Sequence, residues 1–518
     1  MDTKPHANEK FQDCLLGIMD LRGLSSSQLS VMLGQKSKTT LLRVLQGTAG
    51  LRALSNVYKD LCSCEALQLT EQEIERLHIA YDVEMWGADN YRARTEIFHL
   101  LNKPNTPPVP TKLLCPDGEE TTLEAFLNRF VPAEEETSIP ADRTFETVPV
   151  ARMEILMLSS CYPSVMQNMA ALLCRLEQRI HICQLFMLNG DTSRTARMIR
   201  NIIPTLGYHT YEAYSVSQND VLPDPAYSGA GTGKAMAIRV ETATGETLEF
   251  QILLQGEAAG VLLEAPGLWN HWHRFTEIYF RAAVPLKATV PFIQDYVSLL
   301  EYYAEIERNR EILIYKGDVC FYNIHTEILL HALSDSMAEG NNAEIADHLV
   351  QVLPKLRSLQ EKRFQNIVNK RQHTYWIAFA TALYRFARTG IQDDHFFAMR
   401  PFTPEERHRI FRHLLEQTEN NPYFHMYLLR EEDEGTFVDL EAALFTGRGF
   451  QLTSFGTDYC LTNGWTETML EEEAFCALYR EFYMEELLPR HTQPQENTAA
   501  LLKDILRYLQ EEIDSQKA

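Results

Sequence analysis

The chain has 518 residues and a formal charge of -23, with 45% apolar and 23% charged side chains. That length exceeds what one hydrophobic core organises and implies several domains, while the apolar and charged fractions exclude a disordered chain. No apolar run reaches the length of a membrane span and the opening "MDTKPHANEK" lacks a secretory pattern, so a cytoplasmic protein with no membrane partner is expected. Ten cysteines are scattered along the chain; Cys62 and Cys64 form the one close pair, and all are read as buried reduced thiols rather than a zinc site.

The first hundred residues carry helical punctuation. "FQDCLLGIMDLRG" sets Phe11, Leu15, Ile18 and Met19 on one face and stops at Gly23. Ser25 stands three residues before Gln28, a capping box for a second helix with Leu29 and Leu33 inward and Gly34 at its end. After the polar "QKSK", Ser37 caps a third helix that turns Leu41, Val44 and Leu45 inward and closes at Gly47. "LRALSNVYKDLC" follows, then "LTEQEIERLHIAYDVEMWG" behind a second capping box, Thr70 to Glu73, and "YRARTEIFHLLNK" leads into a linker.

Charge is unevenly placed. Between Asp20 and Asp60 lie Arg22, Lys36, Lys38, Arg43, Arg52 and Lys59 and no carboxylate, so the acidity belongs to the rest of the chain. Short helix, glycine-bearing turn, short helix is the helix-turn-helix unit, whose second helix offers donors and cations to base edges in the major groove. Lys38, Thr39, Thr40 and Arg43 occupy such positions, and Ser26, Gln28, Lys36 and Ser37 complete the candidate DNA-contacting set near phosphates and flanking bases.

The stretch "LSSSQLSVMLGQKSKTTLLRVLQG" resembles the helix-turn-helix of the phage-repressor-like (XRE) regulators. Leu29, Ser30, Leu33, Gly34, Leu41 and Val44 fall on that family's core pattern. Ser30 stands where the family favours Ala, and the turn after Gly34 is one residue longer than in the most compact members, which leaves the base-facing set open to within one position. The resemblance covers the amino-terminal domain alone. It implies a double-stranded DNA operator and a homodimer, because half-sites are read by paired recognition helices.

"NKPNTPPVP" at 102–110 cannot continue a helix and marks a boundary. From about 150, "ARMEILMLSS", "PSVMQNMAALLCRLEQ" and "IHICQLFML" read as strand, helix, strand, the signature of a parallel βαβ pair. "DTSRTARMIRNIIPTL" continues as a helix, and "AMAIRVETATGETLEFQILL" alternates about "ATGE" as a hairpin. Beyond 320, "HTEILLHAL", "NAEIADHLVQVLPKLRSLQEKRFQNIV", "TYWIAFATALYRFA" and "PEERHRIFRHLLEQ" read as helices, broken by strand-like "YFHMYLLR" and "TFVDLEAAL". The helix-then-strand order near 404–430 repeats that near 163–187 and raises an internal duplication. The last segment places Leu502, Ile505, Leu509 and Ile513 on one stripe, expected to pack onto its own domain, with self-association as the alternative.

The expected protein is therefore multi-domain and helix-rich: an all-α helix-turn-helix domain at 1–102, a proline-rich, loop-rich connector at 103–145, an α/β or α+β sensor domain at 146–320, and a mostly helical part with a few strands at 321–518. "SGAGTGKA" at 228–235 lacks the leading glycine and the trailing Ser or Thr of a phosphate loop and precedes a strand. His271 and His273, two apart on a helix, diverge, and "DDHFF" at 393–397 fits equally a carboxylate that orients a histidine as a base and an ordinary helix-start cluster. With no local catalytic motif, no metal site and no cofactor read, the expectation is a sequence-specific DNA-binding transcriptional regulator, not an enzyme, with a small-molecule or peptide effector. The alternative is an enzyme or defence-type effector whose helix-turn-helix serves autoregulation or protein contact.

Overall fold

The computed structural model describes residues 9–34, 38–103, 107–132, 147–158, 162–188, 190–217, 235–281, 283–290, 293–320, 323–338, 346–369, 371–392, 399–437, 441–455 and 465–517. The chain forms two compact units, residues 1–98 and 99–518. It is helix-rich with a large α/β part.

The small unit holds α1 (Phe11–Leu21), α2 (Ser26–Met32), α3 (Lys38–Leu45), α4 (Leu51–Cys62) and α5 (Glu71–Trp86), and α6 (Ala88–Leu101) runs across the boundary. Both capping boxes form: Ser25 with Gln28, and Thr70 with Glu73. Gly34, at φ +62°, turns the chain out of α2 in a conformation that a side chain at that position would resist. The inward residues read from periodicity meet in one core containing Phe11, Leu15, Leu29, Leu41, Val44 and Leu77. Arg22 grips Glu73 through both terminal nitrogens at 2.6 and 2.7 Å and donates Nε–H to the Leu67 carbonyl at 3.0 Å, tying the end of α1 to the start of α5. That guanidinium holds the Glu73 carboxyl down at about 2.

The large unit opens with β1 (Lys112–Leu114), β2 (Glu120–Thr122), α7 (Leu123–Leu127) and β3 (Phe130–Pro132). The expected βαβ follows as β4 (Val148–Leu158), α8 (Pro163–Leu176) and β5 (Ile180–Leu188), with β4 and β5 parallel. Then come α9 (Thr192–Leu206), β6 (Tyr211–Ser217), the hairpin β7 (Ala235–Thr242) and β8 (Thr247–Leu254), β9 (Ala259–Glu264) and α10 (Leu268–Phe280). The first sheet runs β10-β6-β5-β4-β7-β8-β9-β1-β2, with β3 beside β4 and β10 at Val284–Pro285.

The second sheet starts well before residue 320. It runs β11-β17-β16-β15-β12-β13-β14, from β11 (Lys287–Val290), β12 (Ile312–Tyr315), β13 (Thr374–Ala378), β14 (Phe424–Leu428), β15 (Glu441–Phe445), β16 (Gly449–Phe455) and β17 (Trp465–Leu470). Its helices are α11 (Ile293–Ile306), α12 (Thr326–Ala338), α13 (Ala346–Val368), α14 (Ala380–Thr389), α15 (Pro404–Asn420), the one-turn α16 (Glu431–Glu434), α17 (Glu473–Phe482), α18 (Leu488–His491) and α19 (Gln495–Lys517).

The two sheets share a topology. In the first, β4, β5 and β6 are parallel neighbours and β7, β8 and β9 continue antiparallel from the other side of β4. In the second, β12, β13 and β14 repeat that arrangement, with β15, β16 and β17 on the other side of β12. The repeat pairs β4, β5 and β6 with β12, β13 and β14, so the helix and strand at 404–428 correspond to those at 192–217, not to the segment near 163–187 from which the sequence raised a duplication. The sheets meet through Val284–Val290: the Leu286 amide bonds the Ala213 carbonyl at 2.8 Å, and the Leu286 carbonyl receives the Met469 amide at 2.8 Å.

The 321–518 span is rich in helix and also supplies five strands to the second sheet, which begins before residue 320. "TYWIAFATALYRFA" is strand β13 followed by α14, not one helix. Trp376, Ile377 and Ala378 are all fully buried between parallel neighbours, and a strand covered on both faces shows no alternation to separate it from a buried helix. The stripe of α19 is buried as expected, with Leu502, Ile505 and Leu509 in the core that also holds Ile312, Trp376 and Met426. The cysteine expectation holds in part: Cys14, Cys183 and Cys320 are buried, whereas Cys62 and Cys174 are exposed.

Candidate functional site at the carboxyl edge of the second sheet

From β12 the chain proceeds to β13 and β14 on one side, then returns to β15 on the other. The strand order therefore reverses beside β12, and in open α/β sheets that switch point, outside the carboxyl ends of the strands, is where ligands are received. The segment leaving β12 is Lys316-Gly317-Asp318, polar residues at the end of the buried apolar run Ile312–Tyr315.

Lys316 is buried, and its ammonium meets Glu441 Oε2 on β15 at 2.7 Å. Its backbone is locked to β13: the Lys316 amide bonds the Ile377 carbonyl at 3.1 Å, and its own carbonyl receives the Trp376 indole N–H at 2.9 Å. Asp318 accepts the Val319 amide at 2.7 Å and faces Arg385 of α14 at 3.3 Å. Glu434 caps the start of α14 by accepting the Ala380 amide at 2.6 Å, and beside it Asp433 pairs with His491 at 3.0 Å.

Two amides complete the edge. Gln392 donates to the Val319 carbonyl at 2.6 Å, but its Oε1 is buried without a partner. Gln392 is delivered there by Gly390, at φ +64°, where a Cβ would lie 2.3 Å from the Phe402 carbonyl oxygen; only glycine permits that approach. Asn323, seven residues beyond Lys316, is 0% exposed, and neither its Oδ1 nor its Nδ2 has a hydrogen-bond partner. Leaving a buried polar group unpaired costs about 1–3 kcal/mol, so two such atoms on one side chain mark a place where water or a ligand belongs. Among the described residues no group of three or more His, Cys, Asp or Glu is arranged to hold a metal ion.

A second polar cluster lies under the helices of the same half. The His413 and His325 rings stand 5.0 Å apart, each against Phe364, and burial with His325 alongside pushes His413 down to about 4. Glu307 and Arg363 form a buried bidentate pair at 2.6–3.1 Å.

The side chains assigned to DNA lie elsewhere, in the small unit. Gln28 uses its Oε1 as the cap of α2, accepting the Ser25 amide at 2.9 Å and hydroxyl at 2.7 Å. The Lys38 ammonium donates to the Ser27 hydroxyl, Thr39 and Arg43 are exposed, and Ser26 and Thr40 are half-buried. Lys36 and Ser37 lie outside the described residues, as do 228–234 of "SGAGTGKA" and "DDHFF". His271 and His273 are exposed on α10. The edge residues escaped the sequence reading because Lys316 and Glu441 are 125 positions apart. The available signal was "KGD" directly after "EILIY", a charged stop on a buried strand.

No family of known proteins and no curated protein matches the chain. Among solved structures it is similar to a phosphatidylserine synthase of Haemophilus influenzae Rd KW20, at 10% identity and a TM-score of 0.25, over 70% of this chain and 90% of that one. The expectation of a sequence-specific DNA-binding regulator is corrected: no comparison supports it. In addition, Gln28 and Lys38 direct polar atoms to partners inside the small unit. At that level of likeness neither the neighbour's fold nor its reaction transfers. Among the described residues no helix is long and apolar enough to cross a membrane.

Proposed function

We propose that the chain is an enzyme or effector acting on a small polar molecule at the carboxyl edge of the second sheet, with the small helical unit serving protein contact. The observation that carries this reading is Asn323, fully buried with both amide atoms unpaired in the loop that leaves the switch-point strand. A ligand offering one donor and one acceptor would satisfy it.

The test is a thermal-shift screen of nucleotides, sugar phosphates and amino acids on the full chain, with mass spectrometry to detect consumption. A binding compound raises the midpoint of the wild-type protein. Asn323→Leu erases that rise while its ligand-free midpoint equals or exceeds wild type, because two orphaned polar atoms have been removed. A compound that stabilises wild type and Asn323→Leu alike would reject the site.

A further inference from the structure

We infer that His373 and His425 form a one-proton clasp between β13 and β14, which fastens the end of the second sheet near neutral pH and opens when both imidazoles are protonated. His373 Nδ1 and His425 Nε2 stand 2.8 Å apart, with ring planes 21° from parallel. A hydrogen bond between two imidazoles needs one facing nitrogen with its proton and one without. A first added proton leaves that arrangement in place and makes the bond charge-assisted. A second sets N–H against N–H and cation against cation, so the contact turns from attraction to repulsion.

The place of the clasp decides what its opening does. Among the described strands, β14 is the last of its sheet and pairs with β13. Its carboxyl end is fastened by the Leu429 amide to the Ala378 carbonyl at 2.9 Å and by the Gln493 amide to the Leu428 carbonyl at 2.8 Å. At its amino end the Thr374 amide meets the Tyr423 carbonyl at 2.8 Å, and the histidine pair adds a side-chain tie. Opening therefore frays the strand from Tyr423 toward His425 and leaves the other end held. The surroundings offer little to offset a second charge. The Tyr375 ring lies 4.8 Å from His425 and 5.6 Å from His373, Tyr423 stands 5.5 Å from His373, and Tyr427 shares the face of His425. Glu311 and Arg480, the charges acting on Tyr375, are paired with each other at 2.6 Å. Among the described residues neither histidine is bonded to a carboxylate. Burial, and then His373 alongside, hold His425 below the ordinary histidine range. A strand end frayed into water takes up its proton first as pH falls below about 6.5, so acid favours the open form.

The experiment is hydrogen exchange of the full chain, read by mass spectrometry at about pH 7.5 and about pH 5, each rate divided by the intrinsic rate at that pH. Protection of residues 423–428 is expected to fall about tenfold or more on acidification, while that of Ile312–Tyr315 is kept. His373→Gln and His425→Gln, whose amides hydrogen-bond without titrating, are expected to remove the fall, with circular dichroism confirming the fold. His413→Phe is expected to preserve it, because that ring packs with His325 and Phe364 instead. Protection that does not change with pH in the wild type, a fall that persists in both Gln variants, or one that disappears in His413→Phe overturns the proposal. Deuteration of the imidazole Cε1 positions across the same pH range needs no variant. It is expected to show His373 and His425 titrating in two separated steps, and a single shared step overturns the proposal as well.

Discussion

In the first half of the large unit, β4 and β5 bury Ile155, Met157, Ile182 and Leu185, and the fully buried Gln184 is satisfied by the Tyr211 hydroxyl at 2.7 Å. In the second half the same strand order encloses a charged pair at Glu307–Arg363, a second at Lys316–Glu441, a neutral histidine at 413 and the unpaired Asn323. One topology thus carries two kinds of interior. Apolar side chains with a paired amide build stability directly, whereas buried ionic and unpaired groups are costly to desolvate and persist where they set geometry or receive something.

The sharpest way to break this comparison is Arg363→Met. Glu307 is 1% exposed, and stranding its carboxylate is expected to cost about 3–5 kcal/mol in urea unfolding. A loss below about 1 kcal/mol would show that the second half does not depend on its buried charge. Next in size is the acid limb. An unfolded histidine titrates near 6.5 and folded His413 at about 4, so the unfolded chain takes up the proton first as pH falls. Stability is complete above about pH 6.5 and is lost progressively toward about pH 4. His413→Phe, which keeps the packing against Phe364, should flatten that slope in pH-dependent melting; an unchanged slope would assign the limb to other groups. The smallest effect belongs to the first half. Tyr211→Phe removes one partner of Gln184 and is expected to cost about 1 kcal/mol, measurable as a shift in urea midpoint without a pH dependence.

The local features of the fold were legible in the sequence. Ser25 with Gln28 and Thr70 with Glu73 announced two helix starts, alternation about "ATGE" announced β7 and β8, and the apolar-helix-apolar run from 148 to 188 announced a parallel pair. Thr374–Ala378 was not legible as a strand, because its apolar residues are enclosed on both faces and leave no period to read. The candidate site was hidden for a different reason. Lys316, Arg385, Gln392 and Glu441 come from four separate segments, and only the return of β15 to the side of β12 brings Glu441 to Lys316.

By itself the sequence determined the helices of the small unit, its lack of carboxylates between Asp20 and Asp60, and the βαβ run from 148 to 188 in the large one, since caps, turns and amphipathic period act over a few residues. Tertiary structure alone decided that two sheets repeat one topology and meet through Val284–Val290, that Leu21 and Val31 stay uncovered, and that Asn323 is sealed without a partner. Those outcomes depend on which distant surfaces remain after all the others have packed, and no local pattern encodes that remainder.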